Sequence, residues 1–409
     1  MSEHANPLAR LGGADAGGQN VHVAAVAAGL TRRGHDVTVY TRRDDAAAPD
    51  HSDAPEGYRV ELVPAGPPRV LPKDDLLPHM PAFADWLAQR WQHERFDVVH
   101  AHFWMSGIAT LSAGRRVGVP VLQTFHALGT VKRRHQRAED TSPDARLPME
   151  RRLAREVDGI IATCSDEVAE LREMGMPPGR AHVIPCGVDT DVFRPVEHQP
   201  QHRARHRAAV GPGTPYQLLS LGRLVPRKGV QDVIAALPQL PDAELVVAGG
   251  PPPEELDDDP EIRRLRAAAA DQGVAARVHF TGALDRDAVA PLMCASDVVV
   301  CAPWYEPFGI VPVEAMACGR PVVGTAVGGL LDTVQPGRTG ELVPPRRPDR
   351  LATEIQGLLD DPDRRECYSR AARHRASRHY RWDQVVAETE AAYQRVLHSG
   401  QIVPAEVAQ

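Results

Sequence analysis

Two glutamates, Glu306 and Glu314, lie eight residues apart in the segment "CAPWYEPFGIVPVEAMACG" and enclose an apolar run. The segment predicts a strand ending near Ala302, a loop, and a helix with Pro312 in its first turn and Gly319 just after its end. Glu314 then falls in the first helical turn and Glu306 in the preceding loop. Carboxylates only accept hydrogen bonds, so two of them beside a cleft suit the hydroxyls of a polyol. Alternatively, Glu314 only stabilises the helix start and Glu306 is an exposed loop residue.

The loop between the two glutamates also offers backbone donors. We expect the N–H groups of Phe308, Gly309 and Ile310 to point into the cleft, because a glycine lets the backbone approach a ligand closely. The apolar side chains of the same segment would pack the loop and exclude water.

A second segment, "LGRLVPRKGV", follows an apolar strand and carries Arg223 and Lys228 five residues apart. Arginine binds phosphate oxygens through a fork of donors, and lysine adds a point charge. Ligands of parallel sheets collect at the carboxyl ends of strands, so this loop is placed to bind an anion. Two cations in a surface loop are also commonplace, and the loop alone leaves both interpretations open.

A third segment, "DAGGQNVHV", places Gly17 and Gly18 before a helix predicted over about 20–33, which ends at Gly34. Backbone N–H groups at such a helix start can approach an anion, which the helix dipole favours. A plain turn is the alternative.

The elements that must position these residues are short apolar strands alternating with amphipathic helices, which predicts two doubly wound α/β domains with parallel sheets facing each other across a cleft. A polar, proline-rich stretch near 195–214 is the predicted linker, and 379–397 is predicted to be one helix. The predicted strands are 36–40, 58–62, 97–102, 120–125, 159–163, 181–185, 216–222, 243–249, 277–282, 297–302, 321–325 and 340–344.

A doubly wound domain should open with a strand, yet only "MSEHANPLARLGGA" precedes the first glycine pair. We therefore expect either a true start upstream of Met1 or a first strand truncated to almost nothing.

Composition narrows the class of protein. The 409 residues suit two domains, and 43% hydrophobic with 25% charged residues is typical of a soluble globular protein. A net charge of −7 argues against a nucleic-acid binder. The six cysteines form no CxxC pair, and no stretch approaches 18 apolar residues, so we expect buried thiols and a cytoplasmic protein. Peripheral contact with a membrane surface and the oligomeric state stay open.

With these motifs in this order, nearly the whole chain resembles retaining glycosyltransferases of the two-Rossmann GT-B architecture, in glycosyltransferase family 4. It is similar to sucrose-phosphate synthase-like and mycothiol N-acetylglucosaminyltransferase-like members. The resemblance implies an acceptor-side domain at 1–195, a linker at 196–214, a nucleotide-sugar domain at 215–378, and a helix and tail at 379–409 that cross back to the first domain. It is carried by "DAGGQNVHV", "FDVVHAHFWMSG", "QTFHALG", "IPCGVDTDVFRP", "GRLVPRKGV", "VHFTGAL" and "EPFGIVPVEAMACGRPVVGTAVGG".

The resemblance implies a role for each donor-side residue. Arg223 and Lys228 would neutralise the leaving diphosphate, Glu314 would accept hydrogen bonds from the nucleotide ribose, and Glu306 would hold the transferred sugar. The remaining donor contacts would come from backbone groups: those of Phe308, Gly309 and Ile310 on the sugar, those of Gly282, Ala283 and Leu284 on the base, and those of Gly17 and Gly18 on the diphosphate.

His126 matches the family's histidine beside the donor sugar and completes a catalytic group with Arg223, Lys228 and Glu306. Without the resemblance, it would more simply be a satisfied polar residue at a strand end. We expect it to hold the sugar and shape an oxocarbenium-like transition state, while the donor phosphate takes the acceptor proton. No cofactor and no metal are expected. The "DDD" run at 257–259 is interpreted as a solvated loop.

The acceptor side is less defined. A phosphorylated or acidic acceptor would suit its cations, although a solvated turn at "VKRR" is an equal alternative. Phe103 and Ala127 stand where the mycothiol enzyme has tyrosine and threonine, and both lost hydroxyls belong to its inositol-phosphate contact, which argues against the same acceptor. The candidate acceptor residues are Asn20, Lys73, His102, Lys132, Arg133 and Arg134.

The predicted function is retaining transfer of a hexose from a nucleotide-diphosphate sugar to a small-molecule or glycan hydroxyl, with a UDP-hexose favoured. A GDP-mannose- or ADP-glucose-dependent transferase is one alternative, and a non-catalytic sugar-nucleotide-binding relative is another. An epimerase should lack the paired glutamates, and a pyridoxal phosphate phosphorylase needs a longer chain.

Overall fold

The computed structural model describes residues 1–9, 17–137, 140–195 and 214–399. The chain forms two compact units: an N-terminal unit of Met1–Cys186 with the chain from Trp382 onward, and a C-terminal unit of Gly187–Arg381. The predicted linker, 196–214, lies outside the described residues except for Thr214.

The N-terminal unit contains two sheets within the described residues. In the first, β1 pairs in parallel with β3, which pairs antiparallel with β2; in the second, β4, β5, β6 and β7 lie side by side in parallel. Strands β4, β5 and β6 are buried on both faces, and the polar side chains of β4 and β5, which include His102 and Gln123, are buried with the apolar ones. The strands are β1 Thr38–Arg42, β2 His51–Asp53, β3 Arg59–Val63, β4 Val99–His102, β5 Val121–Thr124, β6 Gly159–Ala162 and β7 Ala181–Val183.

The first three residues link these sheets. On one side, Ser2 N–H donates to the Tyr40 carbonyl on β1 at 3.0 Å. On the other, the Met1 amino group donates to the His100 carbonyl at 2.8 Å, and His102 N–H donates to the Met1 carbonyl at 2.9 Å, both on β4. Met1–Glu3 therefore lies between β1 and β4, where the sequence predicts either a first strand truncated to almost nothing or a start upstream of Met1.

Helices cover the sheets of the N-terminal unit. α3 packs against α2 and α5 over a core that includes Phe83, Trp104 and Leu153, all at most 1% exposed. The helices are α1 Gly18–Arg32, α2 Met80–His93, α3 Trp104–Val117, α4 Gly129–Gln136, α5 Arg146–Glu156 and α6 Ser165–Glu173.

The C-terminal unit has one parallel six-stranded sheet in the described residues, with the order β10-β9-β8-β11-β12-β13. The chain first moves outward from β8 to β10 and then returns to the other side of β8. Such a reversal between β8 and β11 opens a crevice at the carboxyl ends of these two strands. The strands are β8 Tyr216–Leu221, β9 Ala243–Ala248, β10 Val278–Gly282, β11 Val298–Cys301, β12 Val322–Thr325 and β13 Gly340–Val343.

Helices also flank this sheet, and the core beneath them contains Leu218, Leu245, Val298 and Ile355, all 0% exposed. The prediction of a doubly wound α/β class is confirmed for each unit. The helices are α7 Val230–Ala236, α8 Pro260–Asp271, α9 Arg286–Ala295, α10 Ile310–Ala317, α11 Leu330–Thr333, α12 Pro348–Leu359 and α13 Pro362–His379.

The C-terminal helix α14, Trp382–Ser399, belongs to the N-terminal unit. Its Val385 and Ala392 are fully buried against Leu122, Ile161 and Ile184. The single helix predicted over 379–397 is wrong at its start. Tyr380 N–H closes α13 on the Ala376 carbonyl, and the chain turns before α14 begins.

We expect Val385→Ala to lower the free energy of unfolding of the N-terminal unit by about 2 kcal/mol, because the lost methyl groups leave a space that the core cannot fill completely. Chemical denaturation measures this change. Gln384→Ala, at an exposed position of the same helix, serves as the control. Equal stabilities for the two variants would show that α14 contributes little to this core.

Candidate active site

Three loops meet at the carboxyl ends of β8, β9 and β10. Gly222 N–H donates to Ala248 O at 3.0 Å, and Gly249 N–H donates to Gly282 O at 2.9 Å. All three glycines have positive φ, and a Cβ on Gly249 would collide with the Gly222 carbonyl. The Ala283 N–H, in the predicted base-binding loop, donates to Pro251 O at 2.8 Å. This loop is therefore fixed by its neighbours.

The loop after β8 brings Lys228 to the crevice. Pro226–Lys228 form one turn of 3-10 helix, and Gly229 then starts α7 with φ +69°, where a Cβ would strike the Ala302 backbone. The Lys228 ammonium forms an ion pair with the Glu306 carboxylate from the loop after β11. One predicted cation and one predicted carboxylate are thus in direct contact. Arg223 is exposed at the start of the same loop.

Glu306 is largely buried, and its charge depends on these cations. Its side chain is 16% exposed and that of Lys228 is 24% exposed. Burial alone would raise the pKa of Glu306, but the charge and hydrogen bond of Lys228, with the charges of Arg227 and Arg223, hold it below its usual value. The carboxylate is therefore ionised at neutral pH.

Glycines position the loop that contains Glu306. Gly329 N–H, in the loop after β12, donates to the Glu306 carbonyl at 2.9 Å. A Cβ on Gly328 would collide with the Glu306 backbone, and one on Gly329 with the Phe308 backbone. The glycine-rich segment "GTAVGG" (324–329) therefore supports the loop that contains Glu306.

Gly309, with φ +86°, immediately precedes α10. Within the described residues, the backbone N–H groups of Phe308, Gly309 and Ile310 donate to no protein acceptor, as is usual at the start of a helix. They are free to bind a ligand oxygen.

The prediction that Glu314 lies in the first turn of its helix is wrong. Because Gly309 lets the helix begin at Ile310, Pro312 is the third residue of α10 and Glu314 the fifth. Stabilisation of the helix start therefore does not explain this glutamate. Glu314 is partly exposed, and its charge, like that of Glu306, acts on the thiol of Cys301 at the end of β11. Burial, aided by both carboxylates, raises the pKa of Cys301 to about 12.

In the N-terminal unit, His126 follows β5 with a left-handed backbone, φ +59°. Its Nε2 lies 3.0 Å from Nδ1 of His102, at the end of β4. Burial is the largest factor lowering the pKa of both rings well below the ordinary value, and neighbouring histidines add to it. Both are therefore neutral at pH 7.

The predicted residues at the start of α1 form a local network. The helix begins at Gly18, and Gly17 N–H donates to Asn20 Oδ1 at 3.2 Å. The Asn20 amide in turn donates to the Asn6 carbonyl at 3.0 Å, and its side chain is buried. Asn20 therefore shapes this turn. The "DA" that precedes the glycines lies outside the described residues.

Two cations contact Phe103, which starts α3 with φ +76°. Lys73 Nζ and Arg146 Cζ each lie 5.2 Å from the ring centroid. Sequence reasoning missed Arg146. Its side chain is 3% exposed and is held by Glu150 at 2.7 Å and by the Ala127 carbonyl at 2.7 Å. An arginine four residues before a glutamate in an otherwise apolar helix face is the signal that could have found it.

The "VKRR" cations lie on helix α4, so the solvated turn considered as an alternative is not what the chain forms. Lys132 Nζ contacts Asp140 at 3.0 Å and donates to Ser142 Oγ at 2.9 Å. Arg133 is more exposed, and Arg134 pairs with Glu170 at 2.6 Å. Lys132 is the least exposed of the three, with 18% of its side chain exposed.

Two of the three aspartates at 257–259 have side-chain partners that explain them structurally. Asp259 accepts from Ile262 N–H at 2.9 Å at the start of α8, and Asp257 pairs with Arg266 at 2.5 Å. Across the described part of the chain, no group of three His, Cys, Asp or Glu side chains is arranged to hold a metal ion.

The chain matches known families in both halves. The family described as Glycosyltransferase Family 4 matches residues 16–192, and the family described as Glycosyl transferases group 1 matches residues 202–375. D-inositol 3-phosphate glycosyltransferase 2 of Catenulispora acidiphila is 36% identical, with 97% of this chain and 94% of that protein covered. The D-inositol 3-phosphate glycosyltransferase of Xylanimonas cellulosilytica is also 36% identical, with coverages of 95% and 94%.

Among solved structures, sucrose-phosphate synthase from Thermosynechococcus elongatus superposes with a TM-score of 0.86 at 31% identity, covering 97% of this chain and 98% of that one. Two Rossmann-like units with these matches define a glycosyltransferase of the GT-B class. Within that class, the chain belongs to glycosyltransferase family 4, as the sequence motifs indicated. Among the described residues, none of the helices has the length and apolar character needed to span a bilayer.

We expect Lys228→Met and Glu306→Gln to be strongly coupled in a double-mutant cycle of unfolding free energies. Lys228→Met leaves the Glu306 carboxylate without its main cation, whereas the double variant removes both charges of the pair. The coupling energy should therefore be about 1–2 kcal/mol. Chemical denaturation of the four proteins gives this value.

The control is Arg347 and Asp349, an ion pair in the same unit with both side chains about half exposed, for which we expect no measurable coupling. Additive effects of Lys228→Met and Glu306→Gln on the free energy of unfolding would contradict a stabilising ion pair between these residues.

Proposed function

We propose that this protein is a retaining glycosyltransferase that moves a hexose from a nucleotide-diphosphate sugar to a hydroxyl of a phosphorylated polyol. The observation that carries the donor half is the ion pair between Lys228 and Glu306, which joins the loops after β8 and β11 where the order of strands reverses. Arg223 lies on the first of these loops, and Glu314 lies on α10, which follows the second. Cations and hydroxyl-binding carboxylates are what a sugar diphosphate requires of such a site.

The cations act mainly on the leaving diphosphate. As the bond between the anomeric carbon and the diphosphate oxygen breaks, negative charge collects on the diphosphate. Arg223 and Lys228 stabilise this charge, more strongly in a site that excludes water. The acceptor oxygen bonds to the anomeric carbon on the face that the diphosphate leaves, and the acceptor proton passes to a phosphate oxygen. No further proton acceptor is required.

Lys228 and Glu306 exchange partners in this scheme. Without donor they neutralise each other. A bound diphosphate takes Lys228, which frees the Glu306 carboxylate to accept hydrogen bonds from the hexose. The backbone N–H groups of Phe308, Gly309 and Ile310 then bind hexose oxygens, and Glu314 binds the ribose. Lys228 thus binds the diphosphate of the donor, and Glu306 binds its hexose.

We assign the remaining donor contacts to the N-terminal unit's His126, Gly17 and Gly18 and to the 282–284 loop of the C-terminal unit. His126, neutral at pH 7, binds the hexose and does not act as a cation. The 282–284 loop reads the base through its backbone, and a UDP-hexose is the favoured donor.

The acceptor half rests on the cations around Phe103. Arg146 is buried and positioned by Glu150, Ser142 and Ala127, and Lys73 approaches the same ring. Two cations fixed beside an apolar ring suit a phosphate on a compact polyol. Relatives named D-inositol 3-phosphate glycosyltransferases support this class. Because Phe103 and Ala127 have no side-chain hydroxyl, we assign phosphate binding to Lys73 and Arg146.

We expect saturable binding of one donor among UDP-glucose, UDP-N-acetylglucosamine, GDP-mannose and ADP-glucose, measured by calorimetry. Arg223→Ala and Glu314→Ala should each weaken it by about tenfold to a hundredfold, since each removes a charge-assisted hydrogen bond. Arg347→Ala, which removes an exposed arginine of the same unit, should leave it unchanged. Donor binding without turnover, whatever the acceptor, would favour the non-catalytic alternative. Failure of a folded protein to bind any donor would contradict the proposal.

We expect Lys73→Met to raise KM for inositol 3-phosphate by about tenfold to a hundredfold and to change kcat less, because a phosphate loses one charged contact. Arg146→Lys should act in the same direction while keeping a cation beside Glu150. Arg152→Ala, at an exposed arginine of α5, is the control. Initial rates with inositol 3-phosphate, a hexose phosphate and unphosphorylated inositol separate the acceptors. Equal rates with phosphorylated and unphosphorylated inositol would overturn this part.

A further inference from the structure

Four histidines form a histidine cluster in the N-terminal unit: His22 on α1, His100 and His102 on β4, and His126 after β5. The ring centroids of His100 and His102 are 4.1 Å apart, and those of His102 and His126 are 5.2 Å apart. The His22 ring packs edge-on against both His102 and His126. These residues are distant in the sequence. They meet because β4 and β5 are neighbours in the sheet and α1 packs beside their carboxyl ends.

One member, His100, has a defined tautomer. The Thr124 hydroxyl donates to the Ile161 carbonyl at 2.9 Å, so towards His100 it can only accept. His100 Nε2, 2.8 Å away, must therefore carry a hydrogen, and burial keeps the ring neutral by lowering its pKa. His100 Nδ1 then accepts from the Tyr393 hydroxyl of α14, 2.9 Å away. Both nitrogens of His100 are satisfied, and its ring forms a fixed surface behind His102.

The contact between His102 Nδ1 and His126 Nε2 constrains both rings. One of these two nitrogens must carry a hydrogen and the other a lone pair, and both rings are neutral. Either both histidines are Nε2–H tautomers, with His126 as donor, or both are Nδ1–H tautomers, with His102 as donor. The Nε2–H form is the more stable tautomer of a neutral histidine side chain. It leaves a lone pair on His126 Nδ1.

The backbone supports a functional reading of this contact. His126 and Phe103, which directly follows His102, both have left-handed φ values, +59° and +76°. Such conformations are costly for residues other than glycine and persist where the surroundings fix them. The strain thus occurs at both strand ends that meet in the His102–His126 contact.

We propose that His102 is a positioning residue: by accepting a hydrogen bond from His126 Nε2–H, it fixes the ring and tautomer of His126 so that Nδ1 accepts a hydrogen bond from a hydroxyl of the transferred hexose. This assignment rests on the proposed function, and it replaces the acceptor contact predicted for His102 from the sequence. His102 is 4% exposed, whereas His126 is only partly buried. His126 is therefore the member that ligand can reach.

The groups facing this pair all disfavour its protonation. They are His22 from α1, His100 from β4, and His4 and the Met1 amino group from the first residues. The nearest carboxylate of that segment, Glu3, pairs with His4 at 2.7 Å, and Tyr393 of α14 donates to His100. The pair stays neutral through the range near pH 7, so turnover should not follow an ordinary histidine titration there.

The test uses the full chain with ring-¹⁵N-labelled histidine and long-range ¹H–¹⁵N correlation spectra, which distinguish the two neutral tautomers. His126→Gln assigns the His126 signals. We expect His126 in the wild-type protein without ligand to be a single Nε2–H tautomer, unchanged between pH 6 and pH 8. An Nδ1–H tautomer, or a titration of His126 within this range, would overturn the proposal.

Two variants then test the role in turnover. His102→Leu should release His126 to a mixture of tautomers and lower kcat by about tenfold to a hundredfold. His102→Asn keeps an acceptor oxygen near the position of Nδ1 and should restore both the single tautomer and most of the rate. Circular dichroism and Tm establish that each variant is folded.

A folded His102→Leu protein with wild-type kcat would contradict the proposal, as would an Asn variant as slow as the Leu variant. The spectra test the role of His102, and the rates of the wild-type protein test the proposed function, so the two hypotheses can be rejected independently. If the wild-type protein turns over no donor, the proposed function is wrong, whereas the tautomer of His126 still decides whether His102 acts on it.

Discussion

A carboxylate that stays ionised while mostly removed from water needs a partner that compensates its charge, and Lys228 is that partner for Glu306 in the C-terminal unit. Strands β8 and β11 are neighbours only because the chain returns across the sheet, and this brings together the two loops that carry Lys228 and Glu306. The glycines at 229, 328 and 329 let the surrounding backbones approach closely enough to hold both loops. The sheet order, the loops and the glycines therefore serve one charge pair.

The Lys228–Glu306 pair and the histidine cluster satisfy their buried polar groups in different ways. Glu306 and Lys228 pair opposite charges. In the histidine cluster, neutral rings pack on one another, with one hydrogen bond between His102 and His126 and others from His100 to Thr124 and Tyr393. A charge pair can exchange its partner for an ionic ligand. Neutral rings with fixed tautomers are better suited to orienting a hydroxyl. We relate the first arrangement to the diphosphate and the second to the hexose.

Secondary structure could be predicted from the sequence wherever local residue patterns determine it. Every one of the predicted strands overlaps an observed one within about two residues, because each is a short segment rich in apolar and β-branched residues. The short β2, which is polar and pairs antiparallel at an edge, was missed. Glu314 was placed one turn too early because the left-handed Gly309 was not recognised as the residue before the helix.

Contacts between distant segments were beyond the sequence. Arg146 meets Phe103, and His102 meets His126, only through the order of the strands and the packing of α5. The family resemblance supplied residue roles but not these contacts.

The central claim is that the donor diphosphate replaces Glu306 as the partner of Lys228. Crystal structures of the protein with and without UDP would test it most directly. We predict that without UDP the Lys228 ammonium pairs with Glu306, and that with UDP it contacts the diphosphate while the Glu306 carboxylate turns away. A complex in which the diphosphate is bound and the Lys228–Glu306 pair is intact would contradict this account.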